Sequence, residues 1–330
     1  MPTAGDQKKL LLIATGGTIS QTRDGQTGQS LPGLSAADLL ARTSTNKEPI
    51  QCLDLPYRDN VISSVTDVLT LARTIEQAAK DDVDGIVVTH GTDALEDAAY
   101  AIDEMLAGTV PIVFTGAMHP SWATDYDGVQ NLEHAFQVIS QMSPEHGTLV
   151  TLHGHIFEAW SMYKSDTIAL DAFTARRGAP FGRIQGGEVE LDWPPTRWNR
   201  LGNIPQAVLS SVPILTFGVG DDAALLTIIS ERASAVIGGL VAASMGAGSI
   251  PPAAFGHLRQ LAHAGLPVVC CSGTPSGPTV ATEHYPGAYG EITDAGIILE
   301  NFLSPRKARM RLMLSLGLDS AYRSFEVVAP

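Results

Sequence analysis

The feature that most constrains the fold of this 330-residue chain is a series of short apolar runs, each bounded by Gly, Pro or Ser. Runs of this length that are apolar throughout suit strands buried on both faces, as in a parallel sheet. We therefore predict seven buried strands along the chain. In order, the runs read "LLLIAT", "GIVVTHG", "VPIVFTG", "GTLVTLH", "VPILTFG", "AVIGGLV" and "LPVVCCSG".

Helical patterns separate these runs. In residues 93–107, "DALEDAAYAIDEMLA", apolar side chains recur at the i, i+3, i+4 spacing of one helix face. Similar patterns predict helices over about 66–80, 127–141, 221–231, 252–264 and 305–316. The alternation of strands and helices predicts an α/β fold whose ligands bind at the carboxyl ends of the strands.

Prolines and a loss of periodicity mark a domain boundary in "DWPPTRWNRLGNIPQAVLSS". We expect a larger N-terminal α/β domain over residues 1–192, with a parallel-rich sheet flanked by helices. Residues 193–211 would form a linker, and residues 212–330 a smaller C-terminal α/β domain with its own parallel sheet. The polar segment 20–35 is predicted to be a mobile surface loop that could act as a lid, because it directly follows Thr18.

Composition and charge exclude several classes of function. Hydrophobic residues make up 44% of the chain and charged residues 17%, which excludes overall disorder. A formal net charge of −14, without a dense Lys/Arg stripe, disfavours nucleic acid and anionic membranes as partners. No apolar run approaches the roughly 18 residues that span a bilayer. The three cysteines form no disulfide framework and indicate a reducing, cytoplasmic compartment, with Cys270 and Cys271 as small buried hydrophobes.

Two of the predicted strands lead into a Gly followed by a Thr. "ATGGTIS" places Thr18 after two glycines, and "VVTHGTDALEDAAY" places Thr92 and Asp93 after one. If the two strands are neighbours, both hydroxyl groups lie at the same edge of the sheet, beside a carboxylate that can hold a cationic group. Asp93 also has a simpler interpretation as a helix cap, because Glu96 follows it at capping-box spacing.

The same two segments resemble the signature segments of the bacterial-type L-asparaginase family, which includes glutaminase-asparaginases. "GAMHPSWATDYDGVQNL" (116–132) is similar to the family's segment after its third strand, and "LSPRKARMRLMLSLGL" (303–318) to its last helix. The match runs in register over nearly the whole chain. The resemblance implies an amidohydrolase that converts L-asparagine, a small-molecule amide, to L-aspartate and ammonia without a cofactor or a metal. It also implies a homo-oligomer, a dimer or a dimer of dimers, with sites shared between subunits.

The resemblance assigns chemistry to four side chains. Thr18 matches the family's nucleophile, while Thr92 and Asp93 match a second threonine and the acid that binds the substrate's α-ammonium group. Lys164, in "SMYKSDTIALDAF", stands the same distance before Phe173 as the family's catalytic lysine does before its phenylalanine. A threonine hydroxyl needs a base within hydrogen-bond reach, and an uncharged lysine can serve, with Thr92 relaying the proton. Backbone amides of the two Gly–Thr turns are expected to stabilise the oxyanion.

One departure from the family concerns an aromatic residue. The family usually has a tyrosine in the lid loop close to its nucleophile, but segment 20–35 contains none, and the alignable position is near Gln29. Tyr57, Tyr126 and Tyr285 are candidates to replace the missing phenol. The hydrolytic residues therefore match the family better than the residues that would select L-asparagine.

Further departures concern substrate binding and the subunit contact. The serine that binds the substrate carboxylate aligns best with Asn60, or with Ser63 if a gap is allowed. An asparagine at the subunit contact corresponds to Ala247. A glutamate that reaches in from the neighbouring subunit in the family maps onto Glu283 or His284. Counting back from Tyr289 favours Glu283.

Other chemistries fit the sequence less well. "TGGTIS" is neither G-x-G-x-x-G nor a P-loop, and no helix is predicted directly after it. "HGH" at 153–155 lacks a third metal ligand at recognisable spacing. Two hypotheses remain: an amidohydrolase acting on L-asparagine or on glutamine, a D-isomer or a cyclic amide, and a non-catalytic binder of acidic amino acids. The joint presence of Thr18, Thr92, Asp93 and Lys164 favours the enzyme.

Overall fold

The computed structural model of the chain describes residues 8–45, 50–55, 64–176, 178–192, 195, 199–206, 210–221, 223–279, 289–318 and 325. The chain divides into two units, Met1–Arg197 and Trp198–Pro330. The division falls inside the Pro-rich segment that the sequence marks as a boundary. In the described parts of the chain, every helix is too short or too polar to cross a lipid bilayer.

Among its described residues, the N-terminal unit contains twelve strands and four α-helices. The strands are β1 (Leu10–Ala14), β2 (Gln21–Arg23), β3 (Ser30–Pro32), β4 (Ile50–Asp54), β5 (Gly85–Thr89), β6 (Ile112–Thr115), β7 (Thr148–Leu152), β8 (His155–Glu158), β9 (Met162–Lys164), β10 (Phe173–Ala175), β11 (Gly182–Gln185) and β12 (Glu188–Leu191). The helices are α1 (Ala36–Ala41), α2 (Val65–Lys80), α3 (Leu95–Leu106) and α4 (Gly128–Gln141), with 3-10 turns at Thr18–Ser20 and Pro144–His146.

Eight of these strands form one sheet, in the order β12-β11-β8-β7-β6-β5-β1-β4. The strands from β7 to β4 pair in parallel, whereas β8, β11 and β12 continue the sheet antiparallel. Every residue of β5, β6 and β7 is buried, as expected for strands covered by helices on both faces. The predicted larger domain with a parallel-rich sheet flanked by helices is confirmed.

The order of the strands reverses at β1, and this reversal positions the candidate site. From β1 the chain moves outward to β4 and then returns to β5 on the other side of β1. Ala14 pairs with Thr89, so β1 and β5 end level with each other. Open α/β sheets bind ligands at such a reversal, outside the carboxyl ends of the strands. The turns that carry Thr18 and Thr92 leave the sheet at this point.

The helices begin where the sequence provides caps. Ser35 and Asp38 form a capping box at the start of α1, and Ser64 and Asp67 form another at the start of α2. These side chains satisfy backbone amides that have no partner inside the helix. The observed α2 and α4 agree with the predicted 66–80 and 127–141 to within one residue at each end.

The segment after Thr18 differs from the loop that the sequence predicts. Residues 20–35 contain a β-hairpin in which β2 and β3 pair antiparallel. Asp24 Oδ1 accepts the backbone amides of Gln26 and Thr27 and thereby shapes the turn. The backbone amides of Gly33 and Leu34 both donate to the carbonyl of Ser20. Three-residue polar strands carry no apolar alternation, so the sequence offers no strand signal here.

The C-terminal unit has its own parallel sheet. Its described strands are β13 (Ile214–Thr216), β14 (Leu240–Ser244), β15 (Val268–Ser272) and β16 (Ile298–Glu300), and its helices are α5 (Ala224–Val236), α6 (Pro252–His263), α7 (Tyr289–Asp294) and α8 (Pro305–Gly317). The strands pair in sequence order, all parallel, which confirms the predicted smaller domain. Cys270 and Cys271 are fully buried in β15, as predicted. The run "AVIGGLV" is only in part a strand, because α5 extends into it.

Candidate active site

The turn after β1 packs directly against the turn after β5. Thr15 donates its backbone amide and its hydroxyl to the carbonyl of Thr89, at 3.0 and 2.9 Å. Gly17 follows with a φ of 89°. A Cβ at Gly17 would lie 2.3 Å from the Cα of Gly91, so only glycine allows the two backbones to approach this closely. Gly17 therefore serves a contact between chain segments at the edge of the site.

The turn after β5 presents Thr92 and Asp93 before α3 begins. The N-cap of α3 is Ala94, which has no side-chain oxygen, and the first helical residue is Leu95. The interpretation of Asp93 as the N-cap of a capping box is therefore wrong, because the helix begins too late. The carboxylate of Asp93 accepts a hydrogen bond from Lys164 instead.

His90 is a fully buried residue of this second turn. Its Nδ1 lies 2.7 Å from the carbonyl of Gly91, and because a carbonyl can only accept, Nδ1 carries the ring proton. Burial lowers the pKa of His90 to about 4, although the bond to Gly91 favours the charged form. The neutral ring packs against Phe114 and shapes the turn.

Lys164 reaches the two turns from a separate short strand. It ends β9 and pairs with Phe173 of β10. Phe173 is the residue whose distance from Lys164 matches the family. Its Nζ lies 3.1 Å from the Thr92 hydroxyl and 2.7 Å from Asp93 Oδ1. The Lys164 side chain is 15% exposed and the Asp93 side chain 84% exposed. The lysine is thus largely enclosed, while the carboxylate faces solvent.

A pocket of about 250 Å³ brings these groups together with Thr18. This volume is below the range of about 300–1,000 Å³ that is usual for drug-sized ligands, and it suits a substrate of amino-acid size. The pocket therefore unites the four predicted catalytic residues, which come from three separate segments. Its described lining consists of Gly17, Thr18, Gln21, Gly91, Thr92, Asp93, Met118, Lys164 and Thr167.

The pocket also contains residues that the sequence analysis did not single out. Met118 belongs to the loop after β6, where Asp127 accepts the backbone amides of Met118 and His119, each at 3.0 Å. Gln21 and Thr167 lie three residues beyond Thr18 and Lys164, respectively. The only signal for them was proximity in sequence to predicted site residues, which does not reveal which side chains face the pocket.

Several other residues that the sequence singles out lie outside the described residues or outside the described lining of the pocket. Asn60, Ser63, Tyr57, Glu283, His284 and Tyr285 lie outside the described residues. Gln29 is exposed in the hairpin between β2 and β3, and Ala247 is exposed in the C-terminal unit. Tyr126 donates its hydroxyl to the carbonyl of Ile19 and is absent from the described lining of the pocket.

Metal ligation finds no support in the described parts of the chain. They contain no cluster of three or more His, Cys, Asp or Glu side chains suited to a metal ion. His153 of the "HGH" sequence is exposed.

Comparison with known proteins covers nearly the whole chain. A family model described as "Asparaginase, N-terminal" matches residues 9–197, and one described as "Glutaminase/Asparaginase C-terminal domain" matches residues 211–326. A probable L-asparaginase of Deinococcus radiodurans is 33% identical, with 95% of this chain and 94% of that protein covered. L-asparaginase 2 of Bacillus subtilis is 31% identical, with 94% of this chain and 83% of that protein covered.

Solved structures agree with these sequence matches. The crystal structure of a probable cytoplasmic L-asparaginase from Campylobacter jejuni has a TM-score of 0.82 at 25% identity, covering 97% of this chain and 99% of that chain. The thermostable L-asparaginase from Thermococcus kodakarensis has a TM-score of 0.82 at 24% identity, covering 96% of this chain and 97% of that chain, and thus shares the fold. Both family models match, and a relative is 33% identical with 95% of this chain covered, so this chain belongs to the asparaginase family.

Proposed function

We propose that this protein hydrolyses the side-chain amide of L-asparagine to L-aspartate and ammonia, with Thr18 as the nucleophile. The observation that carries the proposal is the arrangement in one pocket of Thr18, Thr92 and Lys164, with Lys164 Nζ 3.1 Å from the Thr92 hydroxyl. Relatives that are named L-asparaginase support the choice of substrate.

The first half of the proposed reaction forms an ester. Thr18 Oγ1 attacks the amide carbon, and its proton passes through the Thr92 hydroxyl to an uncharged Lys164. The substrate oxygen becomes an oxyanion, which backbone amides of the two Gly–Thr turns stabilise. The C–N bond then breaks, and the nitrogen takes up a proton as it leaves as ammonia. Water attacks the ester in the second half, loses its proton along the same route, and releases L-aspartate and the Thr18 hydroxyl.

Asp93 supplies the anchor for the substrate's α-ammonium group. Its carboxylate is held by Lys164 at 2.7 Å and remains 84% exposed at the side chain, so it can accept a second cationic partner. An α-ammonium group that binds Asp93 competes with the lysine for this negative charge.

A panel of amides tests the proposed reaction and the alternative substrates. We expect ammonia release from L-asparagine. The panel adds D-asparagine, L-glutamine and small lactams because segment 20–35, which aligns with the family's lid loop, contains no tyrosine. Release from another amide alone would change the substrate but keep the enzyme. Release from none of them would refute the enzyme hypothesis and leave the second hypothesis, a binder of acidic amino acids without turnover.

Replacing Thr18 with Ala tests the nucleophile. The variant removes the attacking oxygen from a half-buried position, so we expect turnover to fall at least about 10³-fold while the free energy of unfolding changes by less than about 1 kcal/mol. Thr27→Ala is the matched control, because Thr27 is an exposed threonine in the adjoining hairpin. Turnover is measured as ammonia release and stability by urea unfolding. Near-normal turnover of Thr18→Ala would exclude Thr18 as the nucleophile.

We also propose a homo-oligomer, a dimer or a dimer of dimers, in a cytoplasmic setting. The family resemblance supports the assembly, and a neighbour described as probably cytoplasmic supports the compartment. Sedimentation gives the subunit number, and cell fractionation gives the compartment.

A further inference from the structure

The turn that carries Thr18 has a hydrogen-bond donor for every backbone carbonyl from residue 17 to residue 21. The donors are Ser20 N–H and Oγ–H for Gly17, Gln21 N–H for Thr18, Tyr126 O–H for Ile19, Gly33 and Leu34 N–H for Ser20, and Ser121 O–H for Gln21. Buried carbonyls are normally paired, so this turn is fully satisfied. The donors to Ile19 and Gln21 are the two that come from distant side chains.

Both distant donors belong to the loop between β6 and α4. The Tyr126 hydroxyl lies 2.7 Å from the carbonyl of Ile19, and the Ser121 hydroxyl lies 2.6 Å from the carbonyl of Gln21. Ile19 and Gln21 are two residues apart, on either side of Ser20. One loop therefore holds the turn at two points, which restricts rotation of the backbone next to Thr18.

The space for the Tyr126 ring is built into the start of α4. A Cβ at Gly128 would lie 2.3 Å from the phenol oxygen and 2.4 Å from the ring carbon that bears it. The ring also packs against the apolar core of the N-terminal unit. The phenol is therefore held in one place, and a glycine at the first position of the helix leaves room for it.

The chemistry of this contact suits a permanent clamp. A carbonyl only accepts hydrogen bonds, so the phenol must keep its proton to donate. Burial raises the pKa of Tyr126 to about 12, and the hydroxyl therefore stays protonated at every pH at which an enzyme of this kind would work. Ile19 is fully buried, which removes water as a substitute donor.

We propose that Tyr126 is a positioning residue for Thr18, acting through the carbonyl of Ile19 to fix the direction of the attacking hydroxyl. The proposal rests on the proposed role of Thr18 as nucleophile. It also assigns a place to one candidate for the missing phenol: Tyr126 supports the nucleophile through the backbone and does not contact the substrate. Ser121 shares this task from the same loop.

Tyr126→Phe tests the clamp by removing one oxygen atom. We expect kcat for ammonia release to fall about tenfold while KM changes by less than about twofold, because a misdirected nucleophile slows the chemical step without weakening binding. We also expect the backbone amides of residues 17–22 to exchange with deuterium at least about tenfold faster. The exchange measurement needs no turnover, so it tests the clamp even if L-asparagine is not hydrolysed.

Tyr100→Phe is the matched control. Tyr100 is fully buried in α3 and donates its hydroxyl to Glu104, so the variant also loses a buried phenol hydrogen bond, but at a residue outside the described lining of the pocket. We expect Tyr100→Phe to lower the melting temperature without speeding deuterium exchange in residues 17–22 and without changing kcat. Equal losses of kcat in the two variants would mean that Tyr126 stabilises the fold and does not position Thr18. A raised KM at unchanged kcat, or unchanged exchange in residues 17–22, would also overturn the proposal.

Discussion

His90 illustrates how a single residue couples the second turn to pH. Its ring is fully buried, donates from Nδ1 to the Gly91 carbonyl and has a pKa of about 4. In the unfolded chain the pKa of a histidine returns to about 6.5. Between these values the unfolded state binds a proton at His90 that the folded state does not. The contribution of His90 to the free energy of unfolding is therefore fully present above pH 6.5 and is lost as the pH drops towards 4.

We predict that this residue makes the protein about 2 kcal/mol less stable at pH 5 than at pH 7. The measurement compares urea unfolding of the wild type and of His90→Asn at both pH values. Carboxylates titrate equally in both proteins, so the difference between the two pH dependences isolates His90. We expect the variant to lose about 2 kcal/mol less than the wild type over this interval.

His153→Asn serves as the control for this pH experiment. The His153 ring is exposed, and its backbone φ of 49° is one that asparagine tolerates. Its stability should follow the wild-type pH dependence. If His90→Asn and His153→Asn lose the same stability between pH 7 and pH 5, the buried ring does not exclude the proton as we infer.

At the scale of residues, the sequence predicted candidate site residues where a reactive side chain follows a glycine turn at the end of a strand. Thr18 and Thr92 each follow glycine at a strand end, so the residues alone suggest a shared edge. Lys164 is 72 residues from Thr92 and its three-residue strand has no distinctive pattern, so only the family resemblance points to it. The place of the Tyr126 hydroxyl could not be predicted, because it depends on a loop conformation.

The contact between the turns after β1 and β5 is a property of elements. Gly17 has a φ of 89°, and a methyl group there would meet the Gly91 backbone at 2.3 Å. Backbone cannot move aside as a flexible side chain can. We predict that Gly17→Ala lowers the free energy of unfolding by at least about 3 kcal/mol, from backbone strain and overpacking together, and sharply reduces turnover.

Gly25→Ala is the matched control for this substitution. Gly25 lies at the tip of the adjoining hairpin, and a Cβ there would have no neighbour within 4 Å. We expect its free energy of unfolding, measured in urea, to stay within about 0.5 kcal/mol of that of the wild type. Similar midpoints for Gly17→Ala and Gly25→Ala would mean that the two turns separate easily and that their packing does not define the site.

The elements that could be predicted are those buried on both faces. Apolar throughout, β5, β6 and β7 stand out in the sequence, and their connecting helices show a 3.6-residue period. The antiparallel strands β11 and β12 carry alternating exposed residues such as Arg183 and Glu190, and the sequence analysis did not identify them. Similarly, α3 begins later than its pattern suggests, because Ala94 and not Asp93 forms its N-cap.

At the scale of the whole molecule, charge and assembly bear on the proposed reaction. L-Asparagine is a zwitterion without net charge near neutral pH, so a protein net charge of −14 does not oppose its entry. The described pocket lining includes Asp93, the proposed contact for the ammonium group, while the proposed carboxylate contact, Asn60, lies outside the described residues. The family resemblance assigns Glu283, which also lies outside the described residues, to the site of a neighbouring subunit.

Mixing two inactive variants tests whether subunits share the site. In a symmetric dimer with shared sites, a Thr18→Ala chain still offers its Glu283 to a partner, and a Glu283→Ala chain still has its Thr18. A mixed dimer then contains one site with both defects and one intact site. Random reassembly of equal amounts should restore roughly one quarter of wild-type ammonia release, because half of the dimers are mixed and half of their sites are intact. Each variant carried through the same dissociation alone is the control. If Glu283 instead served its own chain, every site in the mixture would keep one defect, and mixing would restore nothing.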